Sequence, residues 1–255
     1  MVLAVPPTDV AFRPIAPGRR LVDMETITLV TGGNKGIGRE TARRLKEAGH
    51  TVLIGARDPE RGKAAAAELG VGLLHLDVTD QASVDEAAAQ VRADYGRLDV
   101  LVNNAAVNSV VAPLEQTTAE DAAAELDANL LGALRVTNAF VPLLRASQHA
   151  RVVNVSSTVG SFAATLELDM FDWQVVPPIY AISKTALTML TLKYSRALPG
   201  ILVNAADPGY TETDLNNHQG TQTVTEGTDA IVHLATLPDD GPTGTFVNRD
   251  GAVAW

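Results

Sequence analysis

Thr26-Ile-Thr-Leu-Val-Thr31 runs directly into Gly32-Gly-Asn-Lys-Gly-Ile-Gly38, and this junction decides the fold. The first six residues are rich in β-branched side chains without polar alternation, the pattern of a strand buried on both faces. The glycines end that strand, permit a tight turn and let backbone approach a bound group closely. Behind them Glu40–Ala48 has helical spacing and closes at Gly49. Strand, glycine turn and helix in that order set a helix N-terminus, with its partial positive charge, where a pyrophosphate can rest. No Gly-Lys-Ser/Thr closes the turn, which excludes a Walker-type loop.

Outward from the junction, strand and helix alternate. Thr51–Gly55, Val71–Leu76, Val100–Asn103, Val152–Ser156 and Ile201–Ala205 read as strands, and Gly244–Val247 as a short last one. Helical stretches cover Glu60–Leu69, Gln81–Tyr95, roughly Ala119–Ser147, Tyr180–Leu198 and Thr223–Leu237, with Gly70 and Asp80 as caps. Strands separated by helices of this length imply a parallel sheet covered on both faces through right-handed crossovers. The sequence therefore predicts α/β architecture, one doubly wound Rossmann domain over residues 24–255. Its parallel sheet would have about seven strands flanked by helices. Residues 1–23 are broken by Pro6, Pro7, Pro14 and Pro17 and carry Arg13, Arg19 and Arg20. They read as a flexible N-terminal extension, with Met24 as an alternative start.

Composition narrows the function classes. At 255 residues, 46% apolar and 20% charged, the chain can build a large core. Cysteine is absent, which excludes disulfides and thiolate-bound metal. His50, His75, His149, His218 and His233 are scattered without i, i+4 pairs, against a zinc-dependent dehydrogenase. A net charge of −10 disfavours general binding to nucleic acid or anionic membrane, so a phosphate-bearing ligand needs local donors. No apolar run is long enough to cross a bilayer. A secretory signal would place basic residues before its apolar core, and the order here is reversed; a cytoplasmic location is expected.

The chemistry centres on Tyr180-Ala-Ile-Ser-Lys184, whose tyrosine and lysine are one helical turn apart and face the same way. A phenol titrates near pH 10, and a nearby ammonium is expected to lower that value. Ser156 and Ser157 leave the C-terminal end of the fifth strand, where α/β sheets place their sites. The spacing Gly32-x-x-x-Gly36-x-Gly38, followed by these serines and Tyr180-x-x-x-Lys184, resembles the short-chain dehydrogenase/reductase family, along nearly the whole chain beyond residue 27.

That resemblance assigns roles. Gly32, Asn34, Lys35, Gly36, Ile37 and Gly38 would hold a nicotinamide dinucleotide, with Asp77 and Val78 at the adenine. Asn103-Asn104-Ala105-Ala106 resembles the family's Asn-Asn-Ala-Gly; Ala106 adds one methyl, implying a slightly narrower floor under the nicotinamide. An acidic residue at the end of the second strand would accept from a free ribose 2′-hydroxyl, but Arg57 stands there. Arg57 and Lys35 can pair with a 2′-phosphate, so NADP(H) is the expected cofactor. Asp58, followed by Pro59, reads as a helix cap. This segment and the glycine turn particularly resemble the carbonyl-reductase branch.

The family pattern further implies a tetrad of Asn129, Ser157, Tyr180 and Lys184. Ser157 would donate to a substrate carbonyl, with Ser156 as the competing candidate. Asn129 would hold a water linking Lys184 to solvent, and Tyr180 and Lys184 would also touch the cofactor. Pro208, Gly209, Thr211 and Thr213 resemble the segment that closes on the carboxamide. The reaction implied is hydride transfer from NADPH to a small-molecule ketone or aldehyde, protonated by Tyr180. Alcohol oxidation at the same site and a non-catalytic cofactor sensor are the alternatives. Between Ser157 and Tyr180 the chain is longer than the usual family spacing, with Phe162, Met170, Phe171, Trp173 and Pro177-Pro178 as candidate pocket walls. Val107, Asn108, Tyr210 and Leu215 are further candidates. Carbonyl reductases carry an insertion in this place that opposes the usual helix-to-helix tetramer; the one here is shorter, and the resemblance slightly favours a monomer over a homodimer.

Overall fold

The computed structural model describes residues 25–110, 112–167 and 176–255. Eight strands form one sheet: β1 (Ile27–Thr31), β2 (Thr51–Ala56), β3 (Gly72–His75), β4 (Val100–Asn103), β5 (Arg151–Val155), β6 (Leu202–Ala206), β7 (Phe246–Asn248) and β8 (Gly251–Ala252). Their order across the sheet is β3-β2-β1-β4-β5-β6-β7-β8, and every pairing up to β7 is parallel. The turn of direction lies between β1 and β4, where doubly wound sheets open a crevice at their carboxyl ends.

The helices are α1 (Gly36–Glu47), α2 (Pro59–Leu69), α3 (Gln81–Tyr95), α4 (Ala119–Leu126), α5 (Gly132–Arg145), α6 (Phe162–Leu166), α7 (Pro178–Ala197), α8 (Val224–Gly227) and α9 (Asp229–Ala235). Successive strand residues face opposite ways. Leu29, Leu53, Leu101 and Val203 therefore pack with Val136 and Phe140 on one face. Val30, Ile54, Val102 and Val153 pack with Leu45, Ile231 and Leu234 on the other. β1 and β4 are buried along their whole length, which accounts for their unbroken apolar and β-branched runs.

Three elements differ from the sequence expectation. The sheet has an eighth strand, antiparallel to β7, made by a turn in which Asn248 Oδ1 accepts from Asp250 and Gly251 N–H. The single helix expected over 119–147 is α4 and α5 joined by a π-helical stretch, Asp127–Leu131. The one expected over 223–237 is α8 and α9: a Thr223–Glu226 capping box starts α8, and the chain breaks at Thr228, whose N–H and hydroxyl both donate to Thr225 O. Among the described residues no helix is long and apolar enough to cross a membrane. The expected extension 1–23, Met24, Met170, Phe171 and Trp173 lie outside the described residues.

Candidate active site

The crevice is a cleft of about 390 Å³ at the carboxyl ends of the central strands. At one end it is built on the glycine turn. Gly32 and Gly36 have φ of +63° and +52°, and a Cβ on Gly38 would sit 2.4 Å from both Asn104 Nδ2 and Gly32 O. Asn104 ties the turn to β4 by donating to Thr31 O and Gly32 O. Lys35 is the N-cap of α1 and makes no side-chain cap bond, and no acidic residue stands in the first turn. The first amide groups of that helix are thus left for an anion.

Arg57, at the end of β2, lines the cleft, is exposed and makes no ion pair among the described residues. Asp58 caps α2, accepting from Glu60 and Arg61 N–H, and its other oxygen faces the Arg61 guanidinium at 3.4 Å. Burial works to raise the Asp77 pKa, but Thr79 hydrogen bonds and nearby Arg57 outweigh it and hold that carboxyl below its ordinary value. Lys35 is engaged: its Nζ meets Asp214 Oδ2 at 3.0 Å, and His218 Nε2 meets the other oxygen at 3.1 Å. These side chains are exposed, and such a pair is weak enough to yield to a phosphate. An uncapped helix start, a glycine turn with no room for side chains and a free guanidinium fit a phosphorylated dinucleotide.

The other end carries Tyr180 and Lys184, both lining the same cleft. Pro178, in the first turn of α7, has the fixed φ suited to that position. Lys184 Nζ donates to Val155 O at 2.8 Å and lies 5.3 Å from the Tyr180 ring centroid. Burial pulls Lys184 down to about 8, opposed by the charges of Asp207 and Glu125. Burial pushes Tyr180 up, and the same two carboxylates reinforce the shift. The expectation that Lys184 lowers the phenol is therefore not met in this arrangement: desolvation and two buried anions dominate.

Ser156 is buried, with its hydroxyl bonded to Lys184 O and Thr188 Oγ1, a packing role. Ser157 is half-buried and caps a short 3-10 turn, accepting from Val159 N–H. Asn129 lies in the π-helical stretch; its Nδ2 donates to Val107 O and Ser183 Oγ, and its Oδ1 accepts from Val107 N–H. Ser156, the competing candidate, lines the cleft, whereas Ser157 and Asn129 do not.

Of the cofactor residues expected from the sequence, Gly32, Asn34, Lys35, Gly36, Ile37, Gly38, Arg57, Asp77, Val78, Asn104, Ala105, Ala106, Pro208 and Thr213 line it. Gly209 and Thr211 do not. Thr211 is buried and donates to Pro208 O, so it shapes the turn from behind while Thr213 takes the cleft position. Val107, Asn108 and Leu215 line the cleft as well, but Tyr210 does not. Phe162 is 67% exposed and also stands apart from it.

Sequence reasoning missed Asp207 and Glu125, two buried carboxylates whose charge reaches the Tyr180–Lys184 pair. The signal for Asp207 was its place directly before Pro208-Gly209. For Glu125 it was an acid four residues before Asn129, on the same helical face.

A doubly wound sheet whose glycine turn and Tyr-x-x-x-Lys helix open on one cleft defines an oxidoreductase-type Rossmann domain. The family model of the short chain dehydrogenases matches residues 26–223, and the chain belongs to the short-chain dehydrogenase/reductase family. It is 31% identical to (−)-isopiperitenone reductase of Mentha piperita, over 92% of this chain and 99% of that protein. Among solved structures it resembles salutaridine reductase from Papaver somniferum (TM-score 0.77, 30% identity, 87% of this chain and 99% of that one). It also resembles the NADPH-bound carbonyl reductase from chicken fatty liver (TM-score 0.79, 30% identity, 91% and 99%).

Proposed function

We propose that this protein is an NADPH-dependent reductase of ketone or aldehyde carbonyls, with Tyr180 as proton donor. The observation that carries the proposal is the convergence on one cleft of the glycine turn, of Arg57, which has no ion pair among the described residues, and of the Tyr180–Lys184 pair. The similarity to proteins named as reductases, one of them NADPH-bound, supports it. Bound NADPH supplies the hydride. Arg57, joined by Lys35 once it leaves Asp214, holds the 2′-phosphate, and the start of α1 receives the pyrophosphate. Pro208 and Thr213 border the nicotinamide end.

Tyr180 gives its proton to the substrate oxygen as negative charge builds there, and its high pKa keeps it protonated, as an acid must be. Ser157 has a hydroxyl proton to give and orients the same oxygen. Lys184 restores the phenol proton, with Asn129 fixing the loop and helix around it. Val107, Asn108 and Leu215 shape the substrate side. The reverse reaction uses the same groups with Tyr180 as base, and a similarity to the (+)-neomenthol dehydrogenase of Capsicum annuum keeps that direction in view.

The test is cofactor oxidation with NADPH and with NADH against quinones, diketones, aromatic aldehydes and bulky ketones. Turnover with NADPH in strong preference to NADH is expected. Tight NADPH binding with no turnover of any carbonyl or alcohol would instead favour a cofactor sensor.

A further inference from the structure

Asp207 is a buried acid that the proposed mechanism does not use. It is 5% exposed and follows the last residue of β6, directly before Pro208, which lines the cleft. Its two oxygens are held apart: Oδ1 accepts from Gly209 N–H at 2.9 Å, and Oδ2 accepts from the Thr158 hydroxyl. Its own N–H donates to Val247 O, so the backbone at this point is fixed by the sheet. One oxygen accepts from a backbone N–H and the other meets a hydroxyl, an arrangement that suits a carboxylate. Among the described residues it makes no ion pair within contact distance. Burial raises its pKa, and the hydrogen bonds from Thr158 and from Gly209 N–H, together with the charge of Lys184, oppose the rise.

We propose that Asp207 is a positioning residue for charge: a fixed, buried carboxylate behind the nicotinamide end of the cleft, favouring the oxidised form of the bound cofactor over the reduced one. This rests on the cleft being an NADP(H) site. The oxidised nicotinamide ring carries one positive charge and the reduced ring none. A fixed anion in a poorly solvated wall therefore stabilises the product of hydride donation and makes the bound cofactor a stronger donor. The charges facing this end come from three elements: Asp207 after β6, Lys184 with Tyr180 on α7, and Glu125 on α4. Lys184 opposes the effect, and Asp207 and Glu125 act together. Both acids are anchored to segments that line the cleft, Glu125 to Ser109 and Asp207 to the turn after β6. Through Thr158, Asp207 is also anchored to the turn that carries Ser157, so its place is set from both sides.

The experiment measures dissociation constants of NADP⁺ and NADPH by calorimetry on the full chain, without turnover. Asp207→Asn keeps the shape and one acceptor but removes the charge. It is expected to weaken NADP⁺ relative to NADPH by about tenfold, which is about 30 mV in the potential of the bound two-electron couple. Thr158→Val removes a hydrogen bond and leaves the charge, and should hold the ratio near that of the parent. Asp207→Ser, which can still accept from Gly209, replaces the Asn variant should that one fail to fold. A ratio unchanged in a folded, charge-free variant overturns the proposal, and so does an equal shift in Thr158→Val. Failure of the parent protein to bind either cofactor would overturn the reading of the cleft itself.

Discussion

Glu125 and Asn129 stand one helical turn apart and hold the same loop. Asn129 clasps Val107 through both its N–H and its carbonyl, while Glu125 Oε2 accepts from Ser109 N–H, Ser109 Oγ and Val110 N–H. Val107 and Ser109 line the cleft, so its wall is pinned at two points. Glu125→Ala should leave those amides without an acceptor and let the wall shift. The expected result is a rise in KM for carbonyl substrates of about five- to tenfold, with the NADPH dissociation constant unchanged. Glu125→Gln, which keeps an acceptor, should restore most of the KM. Steady-state kinetics beside calorimetric cofactor binding checks both; equal effects of Ala and Gln would remove the pinning argument.

Tyr180→Phe removes only the phenolic oxygen. The ring still packs beside Lys184, whose contact to Val155 O does not involve the hydroxyl. Reduction should fall by about 10²- to 10⁴-fold, the range for loss of a positioned general acid, while NADPH binds as before. Retention of substantial turnover would show that another group protonates the product.

The pH dependence follows from Lys184. Burial holds its pKa at about 8, well below an exposed lysine, and Asp207 and Glu125 limit the drop. Proton return to Tyr180 requires the ammonium, so kcat/KM for reduction should be flat below about pH 8 and decline above it. Lys184 also links stability to pH. The unfolded chain holds this proton up to an ordinary lysine pKa of about 10.4, whereas the fold releases it earlier. The unfolded state thus binds more protons between those values, and this group's contribution to stability rises with pH across that window. Lys184→Met should abolish the alkaline decline along with most activity. A pH–rate profile beside thermal melts from neutral to alkaline pH separates the two effects.

What was legible in the sequence was what local chemistry specifies. β1 and β4 stand out because a strand buried on both faces must be continuously apolar or β-branched, and the glycine turn because side chains do not fit there. Tyr180 and Lys184 are legible because their spacing alone brings them together on a helix. The break in the helix at Asp127–Leu131 was not, since its Asn129 contacts are tertiary, to a loop and to Ser183. β8 escaped notice because two residues carry no periodicity. Asp207 and Glu125 read as ordinary acids in sequence; their function-bearing property is burial beside a pair brought in from α7. The Lys35–Asp214 contact likewise joins positions that sequence spacing does not connect.

Arg57 and Lys35 differ in how far the fold has committed them, and that difference orders their roles. Lys35 already meets Asp214, whereas Arg57 lines the cleft with no ion pair among the described residues. Arg57 should therefore supply the larger share of 2′-phosphate recognition. Charge-assisted hydrogen bonds of this type contribute about 1.5–3 kcal/mol, so Arg57→Ala should weaken NADPH about 10- to 100-fold with little change for NADH. Arg57→Asp should go further, because the new carboxylate repels the phosphate and can accept from a free 2′-hydroxyl. Lys35→Ala should cost less, since the parent must first release Asp214. Asp214→Asn should tighten NADPH by freeing Lys35. Dissociation constants for both cofactors across these four variants check the order. A Lys35 effect equal to that of Arg57, or no gain in Asp214→Asn, would mean that the pairing seen at the mouth of the cleft does not compete with the phosphate.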